Sequence, residues 1–205
     1  MATKLHVLVL ESERGAADAA VEELEHAGHA VHRCHEAGVA AFPCKGLDGD
    51  ACPMDGAPID VALTVRSRPR SQPAPHEDGV RCALQRHIPL VVAGSKVLNP
   101  FEPWAAEVLD RTYNVVEPCE RAAAAPLARH SDRAHRALLA VLAHHDIRGL
   151  SPHVDVFRRA GALEVRVHGA ADMEHGVRAM ASVRIIGALR ELDHTATGID
   201  VSFVE

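Results

Sequence analysis

The chain has 205 residues, 47% of them hydrophobic and only 3% aromatic, and a net charge of −6 with histidine neutral. That is enough chain for one large domain or two small ones, with a core built mostly of Ala, Val and Leu. The negative balance argues against a general grip on nucleic acid. MATKLHVLVLES has no basic leader followed by a long apolar run, so the expectation is a cytoplasmic protein with no membrane span.

Residues 4–10, KLHVLVL, are a short apolar run ending at Glu11-Ser12-Glu13, which reads as a buried first strand. Residues 16–26 place Ala16, Ala19, Ala20 and Leu24 at helical spacing, and Gly28 closes the helix. Residues 29–34 form a second strand. After a cysteine-bearing loop, residues 59–65, IDVALTV, form a third strand. RSRPRSQPAP (66–75) is a basic, proline-rich loop, and residues 77–86 form a short helix. IPLVVAG (88–94) is a fourth strand, residues 103–109 a helix, and TYNVV (112–116) a fifth strand, followed by Glu117-Pro118. Strands alternating with helices over about 120 residues predict a doubly wound parallel sheet with helices on both faces.

The second half changes character. The alanines at 122–125, followed by Pro126, read as a linker, which sets domain boundaries of 1–125 and 127–205. Residues 131–145 form an amphipathic helix with Ser131 as its N-cap. Residues 154–159 and 163–168 flank Ala160-Gly161 as a β-hairpin. Asp172 caps a helix over 173–192 with Val177, Met180, Ala181, Ile185 and Leu189 along one face, and residues 199–204 form a closing strand. The order α-β-β-α-β predicts a small α+β domain. Its long apolar helix face predicts self-association, with a two-fold homodimer as the simplest form.

The chemistry concentrates in residues 30–53, AVHRCHEAGVAAFPCKGLDGDACP, which hold three of the five cysteines. A helix would normally follow the second strand, yet Gly38, Pro43, Gly46, Gly49 and Pro53 break any helical period. Cytosolic cysteines stay reduced, and clustered ones serve more often as ligands than as disulfides. Cys34 ends the second strand, Cys44 and Cys52 lie in the loop, and Cys82 lies in the helix after the third strand. In a sheet of order 2-1-3-4-5 that loop and that helix share one face. Cys34, Cys44, Cys52 and Cys82 are therefore the candidate ligands of a zinc ion or an iron–sulfur cluster, with His32, His35 or His76 as substitutes. Their spacings of ten, eight and thirty positions are not those of paired CxxC motifs. Buried free thiols and redox chemistry, including a Cys44–Cys52 disulfide, remain open alternatives. Cys119 stands apart. The loop has few large apolar residues to anchor it: Val39, Phe42, Leu47, Met54 and Ile59. Arg66, Arg68 and Arg70 read either as an anion or acidic-partner contact or as a solvated loop. His144-His145 reads as a structural helix end.

The first 125 residues resemble the receiver domain of response regulators, within the wider group of flavodoxin-like doubly wound folds. The resemblance rests on Glu11 and Glu13 after the first strand, Asp60 opening the third, Ile88-Pro89 opening the fourth and Glu117-Pro118 after the fifth. It implies a magnesium-binding acidic pair at Glu11 and Glu13. It also shows where the reactive residues are missing. Val65 stands where the phosphate-accepting aspartate closes the third strand, and a valine forms no acyl phosphate. Ala93-Gly94 replaces the Thr or Ser after the fourth strand, with Ser95 nearby. Glu117 replaces the lysine after the fifth.

Together these features predict a non-enzymatic regulatory or sensor protein with a phosphorylation-incompetent receiver-like domain, a cysteine-held metal or cluster and a protein partner. A metal-free interaction module and a cysteine-dependent redox enzyme are the alternatives.

Overall fold

The computed structural model describes residues 4–35, 40–42, 44–47, 49, 52–94 and 98–204. The chain divides into two compact units, 1–124 and 125–205.

The first unit is built on a five-stranded, all-parallel sheet in the order β2-β1-β3-β4-β5. The strands are β1 (His6–Glu11), β2 (Ala30–Arg33), β3 (Val61–Arg66), β4 (Leu90–Gly94) and β5 (Glu107–Leu109). β1, β3 and β4 are buried on both faces, which is why they read as nearly unbroken apolar runs. On one face α1 (Asp18–His26) and α4 (Val116–Ala124) pack Ala20, Leu24, Cys119 and Ala122 against Val7, Val9, Leu63 and Val91. The other face is covered by the single turn α2 (Pro53–Gly56) and by α3 (Gly79–Gln85). Met54, Val80 and Ala83 close over Leu8, Leu10, Ala62 and Leu90 there. The loop after β2 and the helix after β3 thus share a face, as the strand order requires.

The last part of this unit departs from expectation. Residues 103–109 are not a helix: a 3-10 turn, Glu102–Trp104, leads straight into β5. Residues 112–116 are not a strand. Asn114 has φ 55°, which breaks an extended run. The amides of Asn114 and Val115 donate to the Glu23 carboxylate at 3.0 and 3.1 Å. TYNVV is the N-terminal approach to α4, held by a carboxylate from α1 that satisfies unpaired helix-end N–H groups. Residues 122–124 close that helix and are not a linker.

The second unit packs α5 (Ala128–His144) and α6 (His175–Leu192) against a three-stranded mixed sheet. β6 (His153–Arg159) and β7 (Ala162–His168) are antiparallel across the Ala160-Gly161 turn, and β8 (Ile199–Val204) runs parallel to β7. Leu138, Leu142, Val156, Val165, Ile185 and Leu189 form its core. Ser131 lies inside α5 and is not its cap; its hydroxyl accepts from the Val156 amide at 3.0 Å, docking the helix on the strand. Asp172 is not the cap of α6, where Glu174 holds that position.

Candidate metal centre

All five cysteines are free thiols. Cys34 follows β2, is buried, and belongs to the core on the α3 face with Cys52 packed beside it. Gly79 opens α3, and a Cβ there would stand 2.8 Å from the Cys34 sulfur and 2.7 Å from Leu10 Cδ2. Only a glycine admits this approach, so the helix start lies directly on the Cys34 thiol. Cys82 follows three positions later, one turn along the same helix side.

Cys44 and Cys52 reach the same place by backbone contacts. The Lys45 amide donates to the Cys34 carbonyl at 3.1 Å, which brings the Cys44-Lys45 peptide against the end of β2. Gly46 faces Cys52, whose Cβ is 3.1 Å from where a Gly46 Cβ would stand. Arg86, just past α3, donates to the Met54 carbonyl at 2.5 Å and pairs with Asp55. That clamp fixes the turn after Cys52 to the helix that carries Cys82.

The electrostatics report the same convergence. Burial first, then the Cys52, Cys82 and Cys44 thiols, push the Cys34 thiol up to about 12, with Lys45 opposing them. Burial likewise raises Cys82, followed by Cys52 and Cys44, with Arg86 opposing. Cys34 at the end of β2 thus feels the other three thiols, and Cys82 in α3 feels Cys52 and Cys44. Among the described residues no three His, Cys, Asp or Glu side chains already stand in a metal-holding arrangement, so closing on an ion requires side-chain movement.

Among the described residues of the loop, Phe42 and Leu47 are 73% and 69% exposed, while the anchors Met54 and Ile59 are buried. Val39 and the loop breakers Gly38 and Pro43 lie outside the described residues.

His35 and His76 stand beside Cys34 in edge contact, ring centroids 5.7 Å apart, and line a small cavity with Cys34, Glu11 and Arg33. Burial lowers the His35 pKa, His76 adds to that, and Asp78 and Glu11 oppose it. The buried Nε2 of His35 has no hydrogen-bond partner among the described residues. His32 is engaged elsewhere, its Nε2 3.0 Å from His6 Nδ1. Cys119 lies in α4 against the opposite face of the sheet, and burial, then Glu120, pushes its thiol up to about 12.

The carboxyl edge of the sheet is occupied by internal pairs. Glu11, Val65 and Ala93 stand in register across β1, β3 and β4. Glu11 accepts from the Ala17 amide at 3.2 Å and lies 3.9 Å from Arg33. Glu13 accepts from the Ser67 hydroxyl at 2.8 Å and pairs with Arg68 and Arg70. Asp60 accepts from the His6 amide, tying the start of β3 to β1. Glu117 does not follow the fifth strand; it lies in the first turn of α4 and pairs with Arg121 at 2.8 Å. Ser95 is outside the described residues.

Arg66 is neither solvated nor open to an anion. It is buried against Glu77, with Nε to Oε1 at 2.8 Å and Nη2 to Oε2 at 2.6 Å. Its other donors reach the Arg70 and Gln72 carbonyls, and it lies over the Phe101 ring. Glu77 also accepts from the Thr64 hydroxyl and the Ala74 amide. This pair sets the path of the basic loop from inside. Neither it nor the positioning residues Gly79 and Arg86 were found by sequence reading, because a single Arg, Glu or Gly carries no spacing signal.

No helix among the described residues is long and apolar enough to cross a membrane. No protein-family model and no curated protein matches the chain.

Proposed function

We propose that the chain is a non-enzymatic regulatory or sensor protein whose first unit is a receiver-like, flavodoxin-like module with a metal centre on Cys34, Cys44, Cys52 and Cys82. The observation that carries this reading is that Cys34, Cys44, Cys52 and Cys82 are brought to one side of the sheet by the end of β2, the loop, the start of α2 and α3, on a loop whose described side chains Phe42 and Leu47 face solvent. A zinc ion or an iron–sulfur cluster supplies the cross-link that burial does not, and structural metal binding contributes on the order of 10 kcal/mol to folding. Cys34 and Cys82, both raised as thiols, lose their protons on ligation, so affinity rises with pH. A raised Cys34 also counts against an unassisted thiolate nucleophile, since the thiolate is the reactive form. Metal-bound, the loop presents one surface to a partner; metal-free, it presents another, and that difference is the signal.

The test is metal content after anaerobic purification. The parent chain is expected to hold zinc or iron, and Cys34→Ser, Cys44→Ser, Cys52→Ser and Cys82→Ser each to lose most of it, with Cys119→Ser unchanged. Equal retention in all five variants would remove the site and leave the metal-free interaction module.

The module is phosphorylation-incompetent in this reading. Support comes from Val65 and Ala93 at the reactive edge and from the arginines that neutralise Glu11 and Glu13; Glu117, now in α4, no longer contributes. Incubation with acetyl phosphate and magnesium is expected to leave the intact mass unchanged, and an aspartyl adduct would contradict it.

A further inference from the structure

The outer face of the second sheet gathers two histidines and a carboxylate. Alternate residues of a strand share a face, so Val154 and Val156 enter the core while His153 and Asp155 lie on the other side of β6. β7 runs antiparallel with His168 in register opposite His153, and side chains opposite each other on one face meet. The His153 and His168 rings stand 6.1 Å apart, centroid to centroid. Asp155 joins them: the His153 Nε2–H donates to Oδ1 at 2.9 Å, and His168 Nε2 lies 3.4 Å from Oδ2. Arg166, in register opposite Asp155, is paired with Glu164 at 2.7 Å and lies over the Phe157 ring.

The two imidazoles are not equally satisfied. His153 is bonded and mostly exposed, whereas His168 Nε2 is buried and has no hydrogen-bond partner among the described residues. A buried polar atom left so costs about 1–3 kcal/mol. An ion pair alone accounts for His153 and not for that nitrogen. We propose that His153, Asp155 and His168 form a binding site for one divalent transition-metal ion, zinc in the first place, held by the two Nε2 atoms and a carboxylate oxygen. Two imidazoles and a carboxylate suit zinc, nickel or copper, whereas magnesium and calcium take oxygen ligands. Ligands set about 2.0–2.2 Å from a tetrahedral ion stand roughly 3.3–3.6 Å from one another, close to the 2.9 and 3.4 Å contacts here. The donors are not yet in a metal-holding arrangement, since each imidazole faces a different oxygen. The carboxylate torsion of an aspartate is broad and two-fold, so its rotation brings one oxygen toward both nitrogens. Three protein ligands leave the fourth position to water or to a side chain of another molecule. The site lies within the second unit and stands whether or not the four thiols hold a metal.

NMR of the imidazole nitrogens in the full chain, titrated with zinc chloride, reads ligation at each ring directly. The Nε2 resonances of His153 and His168 are expected to move together and to saturate, with the same response in Cys34→Ser. Asp155→Ala is expected to raise the zinc concentration required by about tenfold or more, and His153→Ala to do the same for the His168 signal. Removing a group merely bonded to a metal ligand already causes a loss of that size. Magnesium is expected to move neither resonance. Resonances that stay in place under excess zinc would overturn the proposal and leave an ion pair only. So would a His168 response indifferent to His153→Ala and Asp155→Ala, an equal response to magnesium, or a response abolished by Cys34→Ser.

Discussion

Glu77→Ala is expected to destabilise the first unit by about 3–5 kcal/mol, as removal of one member of a buried ion pair does. The side chains of Arg66 and Glu77 are both wholly buried. Removing the carboxylate leaves a guanidinium without its counter-charge, and the Thr64 hydroxyl and Ala74 amide without their acceptor. The sole tryptophan, Trp104, provides the readout, since its amide bonds to Phe101, over which Arg66 lies. Urea unfolding followed by its fluorescence is expected to show the midpoint fall sharply. Arg68→Ala, which removes an exposed 3.7 Å pair with Glu13, is expected to change stability by less than about 1 kcal/mol. Similar small effects for both would show that Arg66 and Glu77 do not hold the loop.

Asp193→Ala is the corresponding change in the second unit, again with an expected loss of about 3–5 kcal/mol. Asp193 follows α6 and is buried among His130 of α5, Arg158 at the end of β6, and Thr195. Burial alone would raise its pKa. The hydrogen bonds from His130 and Thr195 and the charge of Arg158 outweigh that and hold the carboxyl well below the usual 3.8. The folded value lies below the unfolded one, so the carboxylate's stabilisation is fully present above about pH 4 and is lost as pH falls toward the folded pKa. Amide exchange in α5 and α6 should therefore accelerate below that range in the parent chain. In Asp193→Ala it should be fast at every pH and lack that acid-dependent step. An unchanged acid profile in the variant would assign the acid sensitivity to other groups.

Legibility in the sequence followed how local each structural cause is. β1, β3 and β4 are buried on both faces, so their apolar runs announced them. Of the cysteine loop, the described residues before Pro53 hold no helix, as its glycines and prolines led one to expect, but Pro53 itself opens the single turn α2, a position where its missing N–H costs nothing. The fifth strand was not legible. TYNVV has the β-branched character of a strand, yet Glu23, 91 residues earlier, turns it into a helix entry. The three residues of β5 owe their state to pairing with Val91, Val92 and Ala93, and such tertiary pairing overrides propensity. That the cysteine-bearing loop and α3 lie on one face was readable from strand order, which alone puts them there. The buried ion pairs were not readable, since Asp193 meets His130 across 63 positions and Arg158 across 35. Of the face of α6 that the sequence offered for self-association, Val177, Ala181, Ile185 and Leu189 face the core of their own unit and Met180 is exposed, because apolar period alone does not distinguish a core from an interface.

The central claim is that the four converging thiols hold one metal centre. X-ray absorption at the metal edge of the anaerobically purified chain tests it most directly, because it counts the ligating atoms. The account predicts a first shell made of sulfur at about 2.3 Å, four per zinc, or the sulfur-only shell of a cluster if the metal is iron, and in either case lost in Cys34→Ser. A shell of nitrogen and oxygen at about 2.0–2.2 Å, unaffected by that substitution, would contradict it.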